Sequence, residues 1–194
     1  KAVENTRQLL EADKVFMIYN STGTAQTAAI LPLIKEHRTP LFGPVTGASV
    51  FRETFNPYVF HVRAGYASEA GRIVSQMRQQ GISRVAVFYQ DDGLGKTLAA
   101  ELKKASDDEK LPFVAEIKVD PKQPDFAAAA AATEKAQPQA VIVATAGTTF
   151  THYIKAVQAT AARPAYYGFS VASLDVINRE LKDKARGIIL AQIM

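Results

Sequence analysis

The chain has 194 residues, 47% of them hydrophobic, a formal net charge of +4 and no cysteine. That is enough apolar material for one large domain or two small ones and argues against disorder. It excludes disulfides and thiolate metal or redox sites, and the scattered basic residues lack the clustering of a nucleic-acid surface.

The opening KAVENTRQLL lacks the apolar core of a signal peptide and reads as the middle of a helix, so upstream sequence is expected to be absent. No apolar run is long enough to span a bilayer. Short apolar runs suited to buried parallel strands follow at Val15–Tyr19, Tyr58–Val62, Val85–Tyr89, Phe113–Val119, Ala140–Ala146, Ala165–Phe169 and Gly187–Met194. Helical patterns separate most of them. Ala70, Ile73, Val74 and Met77 share one helix face, with Ser68 placed to cap its start and Gly81 to end it. Leu98, Leu102 and Ala105 repeat the spacing. Phe150, Ile154, Val157 and Ala161 do so again before Pro164 forbids continuation. The alanine-rich DFAAAAAATEKA, residues 125–136, reads as a plain surface helix capped by Asp125, able to lie close against a sheet.

Strands alternating with helices predict an α/β protein whose parallel sheets are doubly wound, with helices on both faces. A boundary falls near residue 60 and divides 1–61 from 62–194. The first part carries two polar loops, STGTAQ and FGPVTGAS, after short apolar runs. It has too few strands to be secure alone, so it is expected to be part of a lobe whose remaining strands lie elsewhere. Such a piece is expected to expose apolar surface and to self-associate.

The stretch VAVFYQDDGLGKTLAAELKKA, residues 85–105, raises the question of a phosphate-binding loop. The pattern requires a glycine five residues before Gly95, and Gln90 stands there. Asp91 and Asp92 would set two negative charges beside a polyanion. The dinucleotide fingerprint fails too, because Leu98 occupies its third glycine position. The place is still informative, since open α/β sheets bind ligands at the carboxyl ends of their strands. His37, at a helix end, His61, in a strand run, and His152, in a helix, form no pair at metal-ligand spacing, and no nucleophile elbow is present. No metal, cofactor or catalytic group is therefore expected, and the strand-end loops rich in Ser, Thr, Gly and Tyr suit a small polar ligand.

DKVFMIYNSTGTAQTAAILPLIKEHRTPLFGPVTGAS resembles the first-lobe segment of the periplasmic solute-binding proteins of ABC importers, of the leucine/isoleucine/valine-binding type. NPYVFHVRAGYASEAGRIVSQMRQQGISRVAVFYQDDGLGKTLAAELKKA is similar to their crossing into the second lobe, and DFAAAAAATEKAQPQAVIVATAGTTFTHYIKAVQATAARPAYYGFSVAS to its continuation. The resemblance covers essentially the whole chain. It implies two doubly wound lobes with the ligand in the cleft between them, the first lobe incomplete here, a periplasmic location, a permease partner in the inner membrane and no enzymatic activity. It implies that Ser21, Thr22, Val45, Thr46, Gly47 and Ala48 form the carboxylate-binding loops. Leu94, and Thr148 with Thr149, fall where relatives often carry aromatic residues. Ser170 and Val171 fall where amino-acid binders carry an acid for the ammonium, and Tyr66 is a further candidate. A carboxylate ligand is the expectation, an apolar or aromatic acid favoured over a branched-chain amino acid. A ligand-sensing domain on the same fold is the alternative.

Overall fold

The computed structural model describes residues 1–193. The chain divides into two compact units, Lys1–Gly65 and Tyr66–Ile193, so the division falls four residues beyond the expected boundary at 61/62. Each unit has its own parallel sheet.

In the first unit, α1 (Ala2–Arg7) runs into a π-helical turn at Gln8–Ala12, followed by β1 (Ile18–Tyr19), α2 (Thr24–Glu36), β2 (Leu41–Phe42) and β3 (Val59–Phe60). The strands lie in the order β1-β2-β3, Ile18 beside Leu41 and Leu41 beside Val59. Side chains alternate between the faces of a strand. Ile18 and Leu41 therefore enter a small core with Leu10, Ile30, Leu33 and Ile34. Tyr19, Phe42 and Phe60 are exposed, with the rings of Tyr19 and Phe42 stacked at 6.1 Å. The strands are shorter than the apolar runs that announced them: Phe16 and Met17 precede β1, and His61 and Val62 follow β3. β2 was not among the expected strands, because Pro40 and Gly43 bracket it and leave an apolar run of only two residues, whereas β1 and β3 lie within longer runs.

The second unit holds β4 (Val85–Gln90), β5 (Phe113–Val119), β6 (Ala140–Ala144), β7 (Ala165–Gly168) and β8 (Ile188–Leu190) in the order β5-β4-β6-β7-β8, all parallel. The helices are α3 (Tyr66–Gln79), α4 (Gly93–Asp108), α5 (Phe126–Ala136), α6 (Gly147–Gln158) and α7 (Leu174–Leu181). Right-handed crossovers send α4 to one face and α5, α6 and α7 to the other. On the latter face Ala86, Phe88, Val141, Val143 and Tyr166 pack with Ala129, Ala130, Phe150, Tyr153, Ile154 and Ile177. The alternate residues Val85, Val87 and Ile142 are equally buried on the face of α3 and α4, which pack together. Burial on both faces is why these strands read as unbroken apolar runs. Of the run expected at Gly187–Met194 only Ile188–Leu190 is strand, and Met194 lies outside the described residues.

Helix starts differ in one place. α3 begins at Tyr66, so Ser68 sits inside its first turn rather than capping it. Asp125 does cap α5, its Oδ1 accepting from the N–H of Ala128 at 2.8 Å. Among the described residues no helix is long and apolar enough to cross a membrane.

Candidate functional site

In the first unit the polar loops follow β1 and β2. Val45 donates its N–H to the Ser21 carbonyl at 2.9 Å, which ties the two loops together. Gly23 turns the chain into α2 with φ +92°, a conformation glycine adopts without strain, and α2 begins with no side-chain cap. Its first N–H groups are therefore left for solvent or a ligand. Around this start, Ser21 Oγ lies 3.0 Å from Thr27 Oγ1, and Thr24 Oγ1 lies 2.9 Å from Thr46 Oγ1. Thr46 also accepts the N–H of Ala48 at 3.2 Å. Thr46 is only 2% exposed and Gly47 and Ala48 are buried, while Thr22 is exposed and Ser21 and Val45 are partly so. Thr46 thus holds its loop against the helix start through a buried hydroxyl pair.

The same loop is strapped to the chain that leaves the unit. Arg63 donates to the Val45 carbonyl at 2.7 Å, Arg52 to the Arg63 carbonyl at 2.8 Å, and His61 Nε2 lies 3.0 Å from the Phe51 carbonyl. Burial pushes the His61 imidazole below its ordinary pKa, so the neutral ring donating through Nε2 is the favoured form near neutral pH.

In the second unit the strand order reverses between β4 and β6, because β4 leads outward to β5 while β6, β7 and β8 run the other way. Such a switch point opens a crevice at the carboxyl ends of the strands. Gln90 ends β4 and Thr145 follows β6, and Thr145 Oγ1 donates to Gln90 Oε1 at 3.2 Å across it. Partly buried Leu94 stands in the first turn of α4, with exposed Thr148 and partly buried Thr149 in the first turn of α6. Ser170 follows β7 and gives both its N–H and its hydroxyl to the Glu69 carboxylate, at 2.8 and 3.0 Å. Val171 beside it is partly buried. Tyr66 is buried, its ring edge-on to Phe169 at 6.2 Å.

Each part of the glycine-lysine-threonine turn has a structural use. Asp92 Oδ1 accepts the Gly95 N–H at 2.8 Å and so occupies the helix start a phosphate would need. Lys96 pairs with Asp91 at 2.8 Å, and the ammonium holds the Asp91 carboxyl below the usual carboxylate range. Thr97 donates to the Gly93 carbonyl at 2.7 Å. The histidines are spread out: His37 ends α2, His61 lies just past β3 rather than within it, and His152 meets the Phe126 ring edge-on. Among the described residues no group of three or more His, Asp or Glu can hold a metal ion.

Two polar residues of this geometry, Glu69 and Gln90, were not expected. Glu69 sits 101 positions from Ser170, and Gln90 sits 55 from Thr145. The one local signal was the place of Gln90 at a strand end.

A sequence model described as a periplasmic binding protein matches residues 1–192. No curated protein matches the chain. A substrate-binding periplasmic protein from Ralstonia solanacearum is 24% identical with a TM-score of 0.88, over 96% of this chain and 53% of that one. A possible leucine/isoleucine/valine-binding protein from Rhodopirellula baltica is 24% identical with a TM-score of 0.86, over 97% of this chain and 53% of that one. A branched-chain amino acid ABC transporter structure from Thermus thermophilus with bound valine is 17% identical with a TM-score of 0.87, over 97% and 50%. The shared fold is plain, and the chain spans about half the length of these structures.

Proposed function

The chain belongs to the periplasmic binding protein family, and from that premise we propose that it is part of an extracytoplasmic binding protein that delivers a small carboxylate to the permease of an ABC transporter. The family is of a solute-binding type, and nothing in the role requires catalysis. The ligand would sit in the cleft that the family fold provides between its lobes. It would stabilise a closed form only by its greater affinity for that form.

The observation that carries the carboxylate is the uncapped start of α2 beside the hydroxyls of Ser21, Thr22 and Thr46. Free N–H groups at a helix start, with hydroxyl donors beside them, favour an anion. Gly47 and Ala48 would let a ligand approach the backbone closely. Leu94, Tyr66, Thr148, Thr149, Ser170 and Val171 would meet the other end. The acid bonded to this set, Glu69, is buried and already takes both the N–H and the hydroxyl of Ser170, so its carboxylate is committed within the protein rather than offered to an ammonium. A buried unpaired ammonium is costly, so a simple acid is favoured over an amino acid.

Calorimetry on the full-length protein with a carboxylic acid, its amide and its α-amino analogue tests this. The acid is expected to bind and the amide to fail. An amide that binds equally well would remove the anion anchor, and binding of the amino analogue alone would remove the preference for a simple acid. The Thr46 hydroxyl is bonded to Thr24 and Ala48, so Thr46→Ala would act by loosening the loop it holds beside the helix start and should weaken the acid by about tenfold.

A further inference from the structure

We infer that Gln90 is a specificity-determining residue, reading an oxygen on the end of the ligand remote from its carboxylate. The inference rests on the proposed function and narrows the ligand class. Gln90 is the last residue of β4 and Thr145 the first after β6, so their side chains meet where the strand order reverses.

The backbone of Gln90 is fixed from three sides. It pairs with Val119 of β5, its carbonyl accepts the Asp92 N–H at 2.8 Å, and the start of α4 lies against it at Gly95. Its side chain is fixed by Thr145, which is 2% exposed and donates to Oε1. A carboxamide offers one acceptor oxygen and two N–H donors. With the oxygen committed to Thr145, the amide nitrogen is what this partly buried residue offers to a ligand. Asp91, next in the chain, is occupied by Lys96 and Lys118 at 2.8 and 3.5 Å.

A fixed donor calls for an acceptor. The remote end of the ligand therefore carries a carbonyl, hydroxyl or second carboxylate oxygen rather than hydrocarbon alone. A buried polar group that loses its partner rejects the analogue lacking it, whereas an extra methyl in an apolar pocket discriminates weakly.

The test is calorimetry on the full-length protein with two near-isosteric pairs of acids: levulinate against isocaproate, and para-hydroxybenzoate against para-toluate. The wild type is expected to prefer the oxygenated member of at least one pair by about tenfold. Gln90→Leu should reduce that preference to about twofold or less while leaving the hydrocarbon acid nearly unchanged. Gln90→Glu keeps the shape and the acceptor for Thr145 but loses the donor. It should lose the preference for levulinate, whose ketone oxygen can only accept, and on that pair it carries the test if the leucine variant does not fold. A wild type without preference, or a preference surviving in both variants, overturns the role of Gln90 and leaves the carboxylate anchor standing. If none of the acids binds, the anchor itself falls and this inference falls with it.

Discussion

Gly95→Ala is expected to destabilise the protein by about 3 kcal/mol, at the upper end of what overpacking costs. The sign is the informative part. Helix propensity alone predicts the opposite, a gain of about 1 kcal/mol for alanine over glycine inside a helix. Packing outweighs it here. A Cβ at Gly95 would collide with the carbonyl oxygen of Gln90 and lie 2.9 Å from that residue's carbonyl carbon and nitrogen. These are backbone atoms of a strand residue paired with Val119 of β5, directly after Tyr89, which is paired on both sides, so they cannot rotate away as a side chain would. The alternative is to lift the start of α4, which would strain the Asp92 cap and the burial of Leu98 and Leu102. The chain has no tryptophan, so urea unfolding followed by circular dichroism is the suitable measurement. A stabilised variant would mean that the helix start is free to move.

Phe88→Ala is expected to cost about 3–5 kcal/mol, the range for emptying a phenylalanine site in a packed core. The ring is fully buried at the centre of β4 and stacks on Tyr153 with centroids 3.7 Å apart and planes 8° from parallel. Tyr153 cannot swing into the space, because its hydroxyl lies 2.7 Å from Thr133 Oγ1, and that hydroxyl in turn donates to the Ala129 carbonyl. The same burial raises the Tyr153 pKa well above its ordinary value, so the phenol stays neutral throughout the working range. The cavity therefore stays open beneath α5 and α6. Phe88→Leu should recover most of the loss. An alanine variant within about 1 kcal/mol of wild type would show a core that relaxes around the gap.

The legible part of the fold was the part with the strongest local physics. β4, β5, β6 and β7 lie within two residues of the apolar runs that announced them, because each is flanked by helices or turns with clear endings. The first unit was harder. Its strands are two residues long, so Phe16, Tyr58 and Val62 look like strand residues in sequence yet lie outside the ladders. The start of α3 was misplaced because Ser68 resembles a cap, while the helix begins at buried Tyr66. For the candidate site, the loops were visible as Ser, Thr and Gly clusters after apolar runs, but their internal wiring was not. The Thr24–Thr46 pair joins residues 22 apart, and the Glu69–Ser170 pair residues 101 apart. No periodicity or cap encodes such pairs, since they exist only after the strands have set their register. The Asp92 cap and the close approach of Gly95 to Gln90 likewise became visible only in three dimensions, and they supply the structural reason for a turn that looks nucleotide-binding in sequence.

Native mass spectrometry of the full-length protein, purified without added ligand, tests the central claim most directly. The account predicts a bound small acid that is released on activation, bearing one carboxylate and a second oxygen at its far end, and displaced by an excess of the acid that binds in calorimetry. A co-purifying nucleotide, or a neutral or cationic molecule bound in place of an acid, would contradict it.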